Sequence, residues 1–260
     1  MRHFRLLLLT FLAACTTVPI TNRKQLKLYP ESDMIALSLT QYNQFLNESE
    51  VISTSNPDAA LIQKVGNKLS KACEDFLKKT GQSNRIENYQ WEFNLVESDQ
   101  LNAWCMPGGK VVFYTGIMPV CQDEAGVAVV MSHEIAHAVA AHGNERMSQQ
   151  MAIQLGTIPL AVATSQNPGM VQDIFLMSYG LGSQIGLLAY SRTHESEADK
   201  MGLVFMEYAG FDSNEAIEFW KRMAAQGGSG VPEFMSTHPA NETRIRNIKE
   251  FIPTAKSLAL

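Results

Sequence analysis

Residues 129–143 read VVMSHEIAHAVAAHG, an apolar segment that carries histidines and a glutamate. His133 and His137 are four residues apart, and Glu134 directly follows the first of them. On a helix, positions four apart lie on nearly one face, so the two imidazoles can turn toward one point. Polar groups need partners once they are buried. The segment therefore predicts a zinc site on a buried helix; the alternative is a core helix whose histidines are satisfied by hydrogen bonds.

Neutral imidazole nitrogens at this spacing suit zinc, which in catalytic sites has three protein ligands and one open position. Glu134 lies about a hundred degrees around the helix from His133, where it can contact a metal-bound water but not the metal. This is the position of a general base. An extended motif would need glycine at position 140 and histidine at 143, but Ala140 and Gly143 stand there. The third ligand is therefore expected on another helix, and His142 is expected to be structural.

A second polar segment, SRTHESEADKMG at residues 191–202, contains the candidate third ligand. Glu195 and Asp199 are four apart and share a helix face, whereas Glu197 points roughly to the opposite side. We expect Glu195 to bind zinc and Asp199 to hold a zinc-binding histidine in place by a hydrogen bond. The alternative is a solvated acidic face.

His238 is a further candidate. It follows a glycine-rich loop, QGGSGVPEF, and precedes Pro239. A histidine in this position can hydrogen-bond a developing oxyanion or the substrate. From these residues alone, a surface cap residue is an equal alternative.

Hydrophobic periodicity predicts a mainly helical α+β chain. Asn56 is expected to cap the second helix, Gly143 to end the third and Ser213 to cap the fifth, and residues 107–109 form a predicted turn. Helices are expected over residues 33–47, 58–79, 123–141, 191–208 and 213–225, with a last helix from about 239 or 240, and strands over 89–98 and 111–114.

The first fifteen residues, MRHFRLLLLTFLAAC, indicate export. Arg2 and Arg5 precede an apolar run too short to span a bilayer, and the run ends in LAAC, which resembles the bacterial lipobox. Cys15 is then lipidated and anchors the protein to a membrane facing the periplasm, and Thr16 favours the outer membrane. The alternatives are a plain secretory signal or a buried strand. The predicted organisation is a signal peptide at 1–14, a lipidated N-terminus and tether at 15–32, and a single domain at 33–260.

The net charge of -5 and the pI near 5.7 give no broad cationic surface, so nucleic acid is excluded as a partner. Three cysteines follow Cys15: Cys73, Cys105 and Cys121, and none belongs to a CxxC pair that would suggest a cysteine zinc site. A disulfide between Cys105 and Cys121 and small buried thiols are both open alternatives.

Four blocks of the sequence resemble peptidase family M48, the zinc metallopeptidases that include HtpX, the CAAX prenyl protease and the mitochondrial Oma-type protease. The blocks are LNAWCMPGGKVVFYTG, MSHEIAHAVAAHGNERMS, YSRTHESEADKMGL and STHPANETRIRNI, and they reach from about residue 100 to residue 248. The resemblance implies a gluzincin-type core with a small antiparallel sheet packed beside the HExxH helix. Membrane-embedded members carry transmembrane helices; this sequence shows no such segment and looks more like the soluble, lipid-anchored periplasmic members.

The resemblance also implies roles for individual residues. One zinc ion per chain is held by His133, His137 and Glu195, with Glu134 as the base and Asp199 as the supporting carboxylate of an ExxxD pattern.

His238 lies in a block that matches the family's HP motif. The resemblance places it at the active site, where it either stabilises the oxyanion or occupies zinc in an inhibited form. A peptide substrate is expected to lie extended beside the strand at 111–114, with two glycines permitting close approach of its backbone. Arg244 is carried over as support for the substrate or for local structure. The candidate substrate-binding residues are thus Gly108, Gly109, Val111, Val112 and Arg244.

The expected function is a zinc metalloendopeptidase of the bacterial cell envelope that cleaves unfolded or misassembled proteins. One alternative is an envelope chaperone or assembly factor whose proteolysis is latched or secondary. The other is a zinc enzyme that acts on something other than peptides.

Overall fold

The computed structural model describes residues 15–155, 168–179, 190–226 and 242–260, together with Phe234 and His238. The signal peptide predicted over residues 1–14 and the helix start predicted near 239 or 240 lie outside the described residues. Within the described part of the chain, no helix is both long and apolar enough to cross a membrane.

The described elements form a mainly helical chain with small sheets, which confirms the predicted fold class. The helices are α1 (Glu31–Glu48), α2 (Pro57–Lys79), α3 (Met118–Cys121), α4 (Glu124–Val139), α5 (His142–Leu155), α6 (Pro168–Ser178), α7 (Arg192–Tyr208), α8 (Glu215–Ala225) and α9 (Glu242–Ala259). The strands are β1 (Cys15–Thr17), β2 (Lys24–Leu26), β3 (Glu92–Val96), β4 (Ala103–Met106) and β5 (Lys110–Tyr114).

Helix α2 begins where its cap was predicted. The side chain of Asn56 accepts hydrogen bonds from the backbone N–H groups of Asp58 and Ala59, and Pro57 occupies the first helical position. Proline is tolerated there because its missing N–H has no partner inside the helix. The apolar face of α2 packs on α4, α7 and β3 and belongs to the main hydrophobic core.

Helix α4 is the centre of this core. It is buried on all sides from Gly126 to Val139, which is typical of a helix that is apolar all round. It packs mainly against α7, and also against α2 and β4. Asp123 caps its start by accepting a hydrogen bond from the N–H of Gly126. The polar side chains of the HExxH segment are therefore carried into the interior on an element that cannot turn them toward solvent.

The sheet beside α4 is mixed, whereas the expectation was an antiparallel one. Strand β5 lies in the middle, antiparallel to β4 and parallel to β3. The tight turn at Gly108 and Gly109 makes β4 and β5 a hairpin. The longer connection from β3 to β4 carries the chain past the end of β5. The consecutive strands β3 and β4 therefore lie on either side of β5. Strand order of this kind depends on tertiary packing, which alternation of apolar residues does not encode.

The predicted pairing of a peptide with the strand at 111–114 is wrong, because β5 has a partner on each side. Val111 faces Phe93 and Cys105, and Val112 faces Asn94 and Trp104 in the two registers.

The two glycines of the turn serve the fold. Both have positive φ angles, 85° for Gly108 and 80° for Gly109, and the position of a Cβ on Gly109 is 2.8 Å from the ring of Trp91. Their carbonyls accept hydrogen bonds from Gln90 and Glu92.

The N-terminal segment predicted as a tether is structured from its first described residue. β1 and β2 form an antiparallel pair, in which Cys15 faces Leu26. Val18 in the connecting turn is 1% exposed and belongs to the main core. The buried Val18 and the ion pairs of Arg23 hold this hairpin, residues 15–26, against the body of the protein. The prolines and polar residues of the segment do not predict this attachment.

Two predicted helix boundaries are wrong. Helix α4 ends before Ala141, which takes a φ of 56°, and Gly143 lies inside the next helix. Gly143 is required by packing instead, because a Cβ there would collide with the ring of Tyr179. Helix α8 has Asn214 and not Ser213 at its N-cap, and neither side chain caps it: the Oγ of Ser213 is buried without a hydrogen-bond partner in the described structure.

The described cysteines Cys73, Cys105 and Cys121 are buried free thiols, so the alternative of small buried thiols holds and the Cys105–Cys121 disulfide does not form.

The contact between Gly143 and Tyr179 gives a stability prediction. Gly143→Ala is expected to lower the free energy of unfolding by about 1–3 kcal/mol, because the added methyl overpacks a buried contact. Gly169→Ala in α6 is the matched control: no atom lies within 4 Å of its Cβ position, so it is expected to leave stability unchanged or raise it by up to about 1 kcal/mol. Urea unfolding followed by circular dichroism measures both. Equal effects of the two substitutions would contradict the packing role of Gly143.

Candidate metal centre

Four side chains converge between α4 and α7. Potential donor atoms of His133, His137, Glu195 and His238 all lie within 4.8 Å of one another. The Nε2 of His133 is 3.0 Å from the Nε2 of His137 and 3.1 Å from the Nδ1 of His238, and Oε1 of Glu195 is 3.2 Å from the Nε2 of His137. Imidazole nitrogens and one carboxylate oxygen are ligands that zinc prefers in a tetrahedral site. The donor set therefore fits zinc.

Close packing of α7 on α4 brings the carboxylate to the histidines. At Gly202 a Cβ would be 3.2 Å from the backbone N of His133, so a small residue lets the helices approach. Ser191 caps α7 by accepting a hydrogen bond from the N–H of His194. Glu195 follows in the first turn, one turn before Asp199, and both face α4.

Asp199 lies where the sequence predicts. Its Oδ1 is 3.0 Å from the Nδ1 of His133, on the side of the ring away from the other donors. Arg244 from α9 donates to both oxygens of this carboxylate, at 2.9 Å and 2.6 Å, and its Nη1 is 2.9 Å from Oε2 of Glu195. The guanidinium also lies 3.4 Å from the ring centre of Trp220. Of the two roles left open for Arg244, these contacts favour local structure over substrate binding.

Buried charges determine the protonation of the centre. Burial lowers the pKa of His137 well below its usual range, which favours the neutral imidazole that a metal requires. Burial alone would raise the pKa of Asp199, but the charges and hydrogen bonds of Arg244 and His133 together outweigh it and lower that pKa. Burial also opposes protonation of His133, yet Glu195 and Asp199 together raise its pKa to about 9. The centre therefore attracts positive charge.

Glu134 points into a small cavity next to the donor set. Its Oε1 is buried, has no hydrogen-bond partner among the described residues, and lies 3.6 Å from the Nε2 of His238. Burial raises the pKa of this carboxyl group. The cavity of about 10 Å³ that Glu134 lines is large enough for one water molecule. A carboxylate with an unused oxygen beside a water-sized space suits a general base.

The site is closed. His133, Glu134, His137 and His238 are each at most 3% exposed and Glu195 is 6% exposed. Aromatic rings close it: the centre of the Tyr190 ring is 4.0 Å from that of His137, and the Phe234 ring is 4.6 Å from that of His238.

The structure brings together most of the predicted site residues and adds others. His133, Glu134, His137, Glu195, Asp199, His238 and Arg244 surround one centre, whereas Gly108, Gly109, Val111 and Val112 belong to the interior of the sheet and its turn.

Sequence reasoning missed Tyr190 and the contacts of two buried residues near the centre. His142, which was expected to be structural, contacts His137 and Glu197, and Glu197 is 3% exposed. The break at Ala141 turns α5 so that His142 points back, and no sequence signal predicts that turn.

Comparisons with known proteins agree with this site. Residues 63–252 match the model of peptidase family M48. The mitochondrial metalloendopeptidase OMA1 of Schizosaccharomyces pombe is 33% identical over 92% of this chain and 67% of its own length. The human metalloendopeptidase OMA1 is 27% identical over 91% of this chain and 46% of its own length. The beta-barrel assembly-enhancing protease of Yersinia pestis is 30% identical over 61% of this chain. The chain thus spans between about a third and two thirds of the length of these relatives.

The contact between Asp199 and His133 predicts an effect on metal affinity. Asp199→Asn is expected to raise the dissociation constant for zinc about 10- to 100-fold, because an amide is a weaker acceptor for the His133 N–H and the substitution removes one of the two carboxylate charges that Arg244 contacts. Competition with a fluorescent chelator measures the constant. Glu207→Gln removes a carboxylate from the same helix away from the centre and serves as the control. An unchanged constant for Asp199→Asn would remove this residue from the site.

Proposed function

Since the chain belongs to peptidase family M48 and is a zinc metalloendopeptidase, we propose that it cleaves unfolded or misassembled proteins of a bacterial cell envelope. The observation that carries the proposal is the unpaired oxygen of Glu134 in a water-sized cavity beside the convergent histidines and Glu195. The lipobox at Cys15 and the similarity to a bacterial beta-barrel assembly-enhancing protease support the envelope, with the protein anchored to the outer membrane and facing the periplasm.

The mechanism assigns one task to each side chain. His133, His137 and Glu195 would hold the metal, which when bound would polarise the scissile carbonyl and lower the pKa of a water molecule. Glu134 accepts a proton from the attacking water and passes it to the departing amine. His238 donates a hydrogen bond to the developing oxyanion.

His238 has a second task in the closed form. Its Nδ1 is one of the four converging donors, 2.9 Å from Oε1 of Glu195, which favours its role as a resting ligand. Substrate cleavage then requires the imidazole to leave the donor set.

The strand that can receive a peptide is β4. Within the described residues it pairs only with β5, so its other edge has no partner strand. Asn102, Ala103 and Trp104 line the same cavity as Glu134 and His238, so a peptide paired with this edge would run past the base. Main-chain pairing reads little of the side-chain sequence, which suits a protease for unfolded proteins.

Tyr190 separates this cavity from a larger one. Together with Glu195 and Asp199, it also lines a cavity of about 500 Å³ between α7 and α9. Displacement of the Tyr190 ring would join the two spaces and open the donor set to a polypeptide. The aromatic cover then acts as the gate to the site.

A role in assembly is the second candidate, and burial of the whole donor set favours it. In this reading the protein surveys or helps to assemble envelope proteins and cleaves them only after the cover opens.

Glu134→Gln distinguishes the two candidates. The substitution keeps the shape of the side chain but removes the base, so zinc content is expected to stay at one ion per chain while cleavage of casein falls at least about 100-fold. Metal analysis and a fluorogenic casein assay measure the two quantities. Undiminished cleavage would refute the assignment of the base. Full complementation of a deletion strain by Glu134→Gln would instead favour the assembly role.

Pairing of the substrate with β4 predicts that every second backbone N–H group of the peptide contributes to binding. The test uses a series of peptide substrates, each methylated at one backbone nitrogen on either side of the scissile bond. KM is measured for every peptide of the series. KM is expected to rise about 2- to 10-fold at alternate positions, because each of those N–H groups donates to the strand. The intervening positions are internal controls. An equal KM for all methylated positions would exclude strand pairing.

A further inference from the structure

His142, which is not one of the converging donors, lies directly behind the ring of His137. The Nδ1 of His142 is 2.9 Å from the Nδ1 of His137, and the His142 side chain is fully buried. The other ring nitrogen of His137, Nε2, faces His133 and Glu195. His142 therefore contacts the candidate ligand on the side of the ring away from the metal centre.

The partners of His142 determine which nitrogens carry hydrogen. Its Nε2 lies 3.1 Å from Oε2 of Glu197, and a carboxylate can only accept a hydrogen bond. A neutral His142 thus carries its hydrogen on Nε2 and accepts at Nδ1. The hydrogen between the two facing Nδ1 atoms then belongs to His137, which leaves the Nε2 lone pair of His137 directed at the metal centre.

Arg23 holds Glu197 in place. Its Nε donates to both oxygens of Glu197, at 2.9 Å and 3.0 Å, and its Nη1 and Nη2 donate to Glu145 at 2.8 Å and 2.7 Å. Thr21 of the same hairpin donates to Oε1 of Glu197 at 2.7 Å. Glu145 and Glu197 are at most 4% exposed and lie on α5 and α7. One arginine of the N-terminal hairpin therefore compensates two buried carboxylates on two different helices.

We propose that His142 is a positioning residue that fixes the tautomer and ring orientation of His137, and that Arg23 supports it through Glu197. The chain of contacts runs from Arg23 through Glu197 and His142 to His137. The inference rests on the proposed role of His137 as a zinc ligand. It assigns a part of the metal centre to the N-terminal hairpin, more than a hundred residues away in sequence.

A matched pair of variants at position 142 tests the hydrogen bonds. His142→Leu removes both polar atoms, whereas His142→Gln has a similar size and keeps one acceptor and one donor. The dissociation constant for zinc, from chelator competition, is expected to rise about 10- to 100-fold in the leucine variant and less in the glutamine variant. The visible spectrum of the cobalt-substituted protein is expected to shift in the leucine variant, because the ligand geometry changes.

His194 provides the control. It is also buried, at 4% exposed, its ring stacks on His142 at 4.6 Å, and it bonds to Glu145, but it has no bond to a metal-binding nitrogen in the described structure. His194→Gln and His194→Leu are expected to keep the zinc affinity and the cobalt spectrum of the wild type. Equal losses at positions 142 and 194 would reduce His142 to a packing residue.

Arg23→Lys tests the remote end. Lysine keeps the positive charge but has three donors and no planar fork, so it cannot make all four hydrogen bonds of Arg23 to the two carboxylates, and the zinc dissociation constant is expected to rise several-fold. Lys24→Arg, at an exposed position of the same hairpin, is the control. An unchanged zinc dissociation constant in Arg23→Lys would show that the hairpin does not support the metal centre.

The outcomes separate this inference from the proposed function. If His137→Ala binds zinc as tightly as the wild type, the ligand assignment fails. If His137→Ala loses zinc but His142→Leu binds it normally, only the positioning role is refuted. Should the leucine variant not fold, a zinc affinity of His142→Gln equal to that of His194→Gln would refute it, and a weaker one would support it.

Discussion

Burial of charge at the contact between α4 and α7 is the constraint on which the rest of the structure depends. Glu195, Asp199 and Glu197 are carried by one helix into a largely buried region, and each needs a compensating cation or donor. Arg244, on α9, is the cation for both Glu195 and Asp199. Arg23 supplies another for Glu197, from the first hairpin. The two ends of the described chain are thus tied to one helix by the charges that the site requires.

The residues that touch the metal centre could be predicted because their geometry is local. A spacing of four on one helix places His133 beside His137, and the same spacing places Glu195 beside Asp199, whatever the rest of the fold. The surroundings of those residues could not be predicted, because they depend on tertiary contacts. Gly143 has the local signature of a helix end, yet the ring of Tyr179 determines its position. For the same reason, the apolar run VVFY of β5 suits a buried strand but does not show which strands flank it.

The closed site follows from a conflict between two requirements. A dry environment strengthens the electrostatic action of the donor set and of Glu134, so catalysis favours burial. A polypeptide, however, needs an open strand edge. Aromatic rings meet both requirements, since Tyr190 packs on His137 and His238 through apolar faces and leaves few bonds to break on opening. In the proposed function, the cover therefore shields the site until Tyr190 moves.

The hairpin connects this chemistry to the start of the chain. Cys15 is the first residue of β1 and pairs with Leu26, only a few residues before Arg23 and the buried Val18. Lipidation of Cys15, as proposed, would therefore hold the body of the protein close to the membrane surface, with no long flexible spacer. Any force or crowding that pulled the hairpin away would also take Arg23 from Glu197 and leave two buried carboxylates without their cation. Since an unpaired buried charge is far more costly than a lost surface contact, detachment of the hairpin would loosen the support of His137 as well as remove Val18 from the core.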